Sequence, residues 1–313
     1  MAAFRQRIEE VGSKVVQAYW YLWQANQNLP IQRWLLDKTD ETLKALRDRQ
    51  GIDAMTMHVE QAQVALRSRQ SVMLELRKQR RDVEDALRQI LADEQLNLLS
   101  DVQVIPASDP ARSMKPIESL QAISTALRNH PLMQRAALAV KVADINIAVA
   151  KNQSMPRLDL VASTRFSGLD DGYGPAHDQV QEGDYTSYAL GVTFEYPLGN
   201  RQGRAELRKR HLERSKAIST KRNLSQQIAA DVKEKIGRVQ TTYADMQIQD
   251  QAVVSARAYL QSIEDTELVR RSLTPEFLLV KLQAQESLAE ARRAQVGTVA
   301  EFNRALVELA RAT

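Results

Sequence analysis

Along most of this chain apolar residues recur at steps of three, four or seven, and in one interval they recur at steps of two. That change of period separates helical from extended segments. After Gly203 the apolar positions Leu224, Ile228, Val232, Ile236, Val239, Tyr243, Met246, Val253, Ala256, Leu260 and Ile263 form a coiled-coil-like seam. Unbroken from Gly203 to Arg271, such a helix reaches roughly 100 Å at about 1.5 Å per residue and must pack against other long helices. The partners predicted for it are an early zone (Ile8, Val11, Val15, Tyr19, Leu43, Leu46, then Val59, Leu66, Met73 and Leu76) and the stretch Ile117 to Ala150.

Proline removes a helical hydrogen bond and clashes with the preceding turn, so its distribution marks boundaries. None falls between Ile31 and Ile105, between Leu198 and Thr274, or after Pro275, whereas Pro106, Pro110 and Pro116 crowd a short linker. Turns at Gln50-Gly51-Ile52-Asp53 and Ser272-Leu273-Thr274-Pro275 would fold each long zone into a hairpin.

Between about Arg157 and Leu198 the period falls to two. Leu158, Leu160, Ala162, Thr164 and Phe166 alternate with Asp159, Val161, Ser163 and Arg165, and Tyr188, Leu190, Val192, Phe194 and Tyr196 alternate with Ala189, Gly191, Thr193 and Glu195. Each strand so predicted has one apolar face and one small or polar face. Strands of about ten residues suit a bilayer, and tyrosines near both ends of the second suit two lipid–water interfaces. The connection Gly168 to Thr186 carries Asp170, Asp171, Asp178, Glu182 and Asp184 and no lysine or arginine, and reads as a solvated loop.

Composition narrows the function classes. The 313 residues carry a formal net charge of only +4, too little to imply nucleic acid. The absence of cysteine removes disulfides, zinc-thiolate sites and thiol nucleophiles. No run of about 18 apolar residues exists, and residues 1–15 lack the apolar core of a signal peptide. A membrane role would therefore be β-barrel or peripheral. His58, His130, His177 and His211 are scattered, no HExxH or GxSxG occurs, and Gly172-Tyr173-Gly174 lacks the setting of a dinucleotide loop. No catalytic residue, cofactor site or metal site is assigned.

Gly51 and Thr274 lie at comparable distances after Tyr19 and Tyr243, which suggests an internal duplication: a partial first repeat (1–105), a linker (106–116) and a second repeat (117–313). With this offset the first copy would begin about a hundred residues before Met1, an expectation that the chain starts inside a repeat.

In this order the elements resemble the outer-membrane efflux protein (TolC) family over essentially the whole chain. Asn129-His130-Pro131-Leu132, then an alanine-rich helix to Met155-Pro156-Arg157-Leu158-Asp159-Leu160, is similar to the family's approach to a strand. Gly191-Val192-Thr193-Phe194-Glu195-Tyr196-Pro197-Leu198 with Asn200-Arg201 is similar to its exit into a long helix. Val15-Val16-Gln17-Ala18-Tyr19-Trp20-Tyr21-Leu22 resembles its periplasmic helices; Arg49-Gln50-Gly51-Ile52-Asp53 and Arg271-Ser272-Leu273-Thr274 resemble its hairpin tips.

The resemblance implies a mainly α fold of long antiparallel helical hairpins with one inserted β-hairpin, three copies sharing an outer-membrane β-barrel and an α-helical tunnel that extends into the periplasm. It further implies a passive conduit of an efflux or type I secretion system, working with a periplasmic adaptor and an inner-membrane pump, and no nucleic acid. Leu158, Leu160, Phe166, Tyr188, Leu190, Val192, Phe194 and Tyr196 would then face lipid, and Asp159, Ser163, Arg165, Thr193 and Glu195 the lumen. Arg49, Gly51, Ile52, Asp53, Arg271, Ser272, Leu273 and Thr274 would form adaptor-contact tips.

Two departures stand out. Family members usually contribute four strands each and carry a signal peptide; this sequence supplies two strands, as expected of a chain lacking the N-terminal part of the first repeat. Family acidic residues near the tunnel end would fall near Val280 and Gln283, with Lys281 close by, Glu276 the closest carboxylate, and Asp53 and Glu60 as substitutes. Two basic runs read as solvated helix faces: Arg67, Arg69, Arg77, Lys78, Arg80 and Arg81, and the nine lysines or arginines among residues 201–222, which carry only two glutamates. The latter could alternatively meet anionic lipid headgroups or lipopolysaccharide phosphates. The competing classes are a soluble or periplasmic coiled-coil adaptor, in which protein covers the strand face, and a truncated nonfunctional remnant.

Overall fold

The computed structural model describes every residue except 1, 51–53, 97–101, 170, 184 and 270–273. Helix α1 (Ala2–Asp48) and α2 (Thr56–Leu91) are followed by an extended linker, α3 (Ser119–Asn129), α4 (Pro131–Gln153), strand β1 (Arg157–Ser167), α5 (Tyr173–Glu182), β2 (Tyr185–Glu195), α6 (Arg201–Val269) and α7 (Pro275–Ala312). The mainly α fold with one inserted β-hairpin is as the sequence pattern predicts. Two compact units contain these elements: residues 1–133 with 225–313, and residues 134–224. No described helix is long and apolar enough to cross a membrane.

In the helical unit the predicted α6 seam is the buried stripe, with Ile228, Val232, Ile236, Val239, Met246, Val253, Leu260 and Ile263 all in the core. Val253, Leu260 and Ile263 meet Ala284 and Leu288 of α7, with Trp34 of α1 against them. Leu43 and Leu46 of α1, Val59 and Ala62 of α2, and Leu278 and Leu282 of α7 form a second cluster. Fully burying side chains of this size is worth about 1.5–3 kcal/mol each, which holds α1 together even with Pro30 in its interior. Local signals agree with the packing. Thr274 caps α7 by accepting from Phe277 N, with Pro275 in the first turn and Arg311 in the last.

Three expectations are corrected. Ile8 and Val11 are exposed rather than in the seam; Ile8 lies at a cleft with His130 and Val307. Arg69, expected on a solvated face, is buried because its guanidinium spans three helices: it pairs with Glu286 at 2.8 Å, donates to Leu282 O at 3.0 Å and also bonds Thr39 Oγ1. Burial lowers its pKa against the opposing pull of Glu286. Gln32 joins the network, donating to Arg69 O at 2.9 Å and accepting from Arg293 at 2.6 Å. Lastly, the strand connection contains α5 and is not simply a loop.

The linker, residues 102–118, has no regular structure. Its backbone polar groups need partners, and helix side chains supply them. Buried Glu84 accepts from Val104 N at 2.8 Å while paired with Arg80 and Arg88, each at 2.8 Å. Tyr19 Oη accepts from Ser108 N at 2.8 Å, and Asn303 exchanges hydrogen bonds with Ala111 N and O. Glu84→Ala removes the buried carboxylate that Arg80 and Arg88 share and that accepts from Val104 N. Urea unfolding should show a loss of about 3–5 kcal/mol, with faster amide exchange at Val104.

Candidate membrane hairpin and helix tips

Strands β1 and β2 pair antiparallel with Arg157 opposite Glu195 and Ser167 opposite Tyr185. This register places Leu158 opposite Phe194, Leu160 opposite Val192, Ala162 opposite Leu190 and Thr164 opposite Tyr188. The two apolar sets therefore share one face. Asp159–Thr193, Val161–Gly191, Ser163–Ala189 and Arg165–Ser187 pair on the other. Val161 and, opposite Ser167, Tyr185 are the larger side chains that depart from this small or polar pattern.

The unit leaves that apolar face uncovered: Leu160 is 71% exposed, Tyr188 81%, Leu190 77% and Val192 67%. Leu158, Phe166 and Phe194 are exposed too, as is Tyr196, which lies one residue beyond β2. A contiguous apolar surface of this kind on a folded chain marks contact with lipid or protein. Among the described residues, the strands pair only with each other, so each keeps an open edge. Helix α5 lies at the β1 end of the turn, where Gln179 Oε1 accepts from Leu169 N at 3.0 Å.

The foot of the hairpin is built by Asn200, a residue that the alternating pattern does not single out. Its side-chain amide donates to Ser154 O at 2.8 Å, and its Oδ1 accepts from Gly203 N at 3.1 Å, capping α6. It thus ties the end of α4 to the start of α6. A Cβ on residue 203 would collide with Asn200 Oδ1, so this cap requires glycine. On the polar face of the foot, Arg157 pairs with Asp159 at 2.5 Å, and both strands open onto a cleft of about 620 Å³ lined also by Glu195, Pro197 and Glu206.

In the helical unit, Gly51, Ile52, Asp53, Arg271, Ser272 and Leu273 lie outside the described residues. Arg49 O accepts from Ala54 N at 3.1 Å, closing the chain between α1 and α2, and Thr274 caps α7. His58 is buried, with Nδ1 accepting from Met55 N at 3.3 Å and Nε2 3.8 Å from Glu276. Lys281 pairs with Glu267 across α6 and α7 at 2.5 Å, while Glu60, Val280 and Gln283 are exposed. The described residues contain no metal-holding group of histidines and carboxylates.

Residues 122–313 match the family model described as outer membrane efflux protein. No curated protein sequence matches the chain. Among solved structures, a membrane protein from Pseudomonas aeruginosa superposes with a TM-score of 0.80 at 18% identity, covering 99% of this chain and 70% of that one. The outer membrane protein VceC from Vibrio cholerae gives 0.76 at 17%, covering 97% and 69%. The CmeC outer membrane channel from Campylobacter jejuni gives 0.73 at 15%, covering 99% and 64%. These likenesses establish the fold.

The register gives a direct check. Under oxidation, Ser163→Cys with Ala189→Cys should form a cross-strand disulfide readily. Ser163→Cys with Tyr188→Cys, slipped by one residue, should form it poorly because the side chains point to opposite faces. Equal yields by mass spectrometry would overturn the register. With the family match spanning more than half of the sequence and the fold shared throughout, the chain belongs to the outer membrane efflux protein family, whose members are channels and not enzymes.

Proposed function

We propose that the chain is the outer-membrane channel component of a tripartite efflux or type I secretion assembly, a passive conduit whose transport is driven by an inner-membrane pump. The observation that carries this reading is the hairpin: two eleven-residue strands with an uncovered apolar face and two open edges. An eleven-residue strand is long enough to cross a bilayer when tilted. Lipid solvates the apolar face, and strands of neighbouring copies complete the edges in a homotrimer.

On this reading Leu158, Leu160, Phe166, Tyr188, Leu190, Val192, Phe194 and Tyr196 face lipid. Asp159, Ser163, Arg165, Thr193 and Glu195 face the water-filled path, which performs no covalent chemistry. The tips, from Arg49 to Asp53 and from Arg271 to Thr274, meet a periplasmic adaptor. The described helix ends beside them pack in the Leu43, Val59 and Leu278 cluster, which supports a surface that a partner grips.

Purified in detergent, the protein should have the mass of a trimer and lose that state when detergent is withdrawn. Leu190→Arg should abolish insertion into phosphatidylcholine vesicles, since a cation on the lipid face near the bilayer midplane costs about 2–4 kcal/mol. Ser163→Arg, on the opposite face, should insert normally. A well-folded monomer without detergent, or equal tolerance of both substitutions, would sink the channel reading.

A further inference from the structure

The first turns of α6 carry positive charge that its own fold does not neutralise. Arg201, Arg204, Arg208 and Lys216 are exposed and spaced by three, four and eight residues, so they share one helix face. Leu212, 66% exposed, lies among them. The opposite face is neutralised internally: Arg210 pairs with Glu206 at 2.7 Å and Glu213 at 2.9 Å, and Arg214 with Asp144 at 2.5 Å. Among the described residues, no carboxylate pairs with the four on the exposed face. Arg204 donates instead to the carbonyls of Gly199 and Asn200.

Position along the chain adds to this asymmetry. Tyr196 and Leu198, 61% and 89% exposed, separate the strand from Arg201, an order of aromatic, apolar and basic residues suited to a membrane interface. The opposite end of the hairpin, Gly168 to Thr186, has five acidic side chains and no basic one. An anionic surface would repel that end and attract this one. The first turn of α6 also has no acidic residue, although cations there oppose the helix dipole. An external anion relieves that opposition.

We infer that Arg201, Arg204 and Arg208 form a seat for anionic phospholipid headgroups in the leaflet at the helix end of the hairpin. This seat rests on the channel reading above, which puts the helices on the periplasmic side and therefore points to phospholipid rather than lipopolysaccharide. Each basic side chain near such a surface is worth roughly fivefold in affinity, and salt screens it.

The full-length protein is inserted into vesicles of phosphatidylcholine alone and of phosphatidylcholine with phosphatidylglycerol. Protease protection of the hairpin is read first, and the ratio of the two lipids that co-purify is then measured by mass spectrometry. The hairpin should be protected in both vesicles, and phosphatidylglycerol should be enriched several-fold, less so in high salt. Arg201→Gln with Arg208→Gln keeps the Arg204 contacts that hold the cap and should bring enrichment close to the bulk ratio; Arg210→Gln, on the paired face, should leave it unchanged. A protected hairpin without enrichment, or with enrichment that the double variant retains, overturns the lipid seat and leaves the channel standing. Lipopolysaccharide competing as well as phosphatidylglycerol overturns the assignment to the phospholipid leaflet. A hairpin digested in every vesicle overturns the channel reading and the seat together.

Discussion

Backbone hydrogen bonding at the two open edges of the β1–β2 hairpin is the constraint on which this part of the protein depends. Within the described chain β1 pairs only with β2, so about half of the backbone groups in each strand point outward without a strand partner. In water this is tolerable. In hydrocarbon each unmet group costs several kcal/mol, and the remedy available to strands is closure into a barrel. A two-stranded sheet is marginal by itself in any solvent. The hairpin's own side chains add a second demand, because Leu190, Val192 and Phe194 find no cover within their unit. Edges and face thus require neighbours of different kinds, strands for one and an apolar surface for the other.

The helical unit solves the same problem internally. Its helices satisfy their own backbones, its seam buries the apolar stripe, and the charged side chains Arg69 and Glu84 enter the core with partners, whereas buried Gln285 has none among the described residues for either side-chain amide atom. Arg69 of α2 is the clearest case: α1 contributes to its coordination through Thr39, and α7 through Leu282 and Glu286. Removing any one of these partners leaves a buried guanidinium undercompensated, so the network fixes how α1, α2 and α7 align more than it adds net stability. Glu84 does for the linker what Arg69 does for the helices. It gives an otherwise irregular segment a fixed place.

What the sequence made legible was whatever repeats. Periods of three and four picked out the α6 seam nearly residue for residue, and the period of two gave both strands and the face each side chain occupies. Features decided by a single long-range partner were not legible. Arg69 reads as one more member of a basic run until Glu286, more than two hundred positions away, is brought beside it. Asn200 looks like an ordinary turn residue, and only the approach of Ser154 O shows that it clasps the hairpin's foot. The short helix α5 escaped because its acidic, glycine-flanked sequence carries no apolar stripe to betray it. Pro30 is the reverse case: a local signal for a break is overridden by burial of Leu22, Ala25 and Leu35 around it.

The two faces of the hairpin also separate two kinds of specificity. If the apolar face meets lipid as proposed, any large hydrocarbon side chain would serve there nearly as well, so little about a cargo would be written in it. The polar face is different in character. Arg157, Asp159 and Glu195 gather at its foot, with Arg157 held against Asp159 and opposite Glu195 in the register, while Ser163, Ala189 and Ser187 keep its middle small. On the channel reading proposed above, this face would present the path with small and charged side chains and no broad apolar surface. Its charges are largely mutually compensated. On that reading such a wall would let solutes pass without holding them, and selection would rest with the pump that supplies the energy.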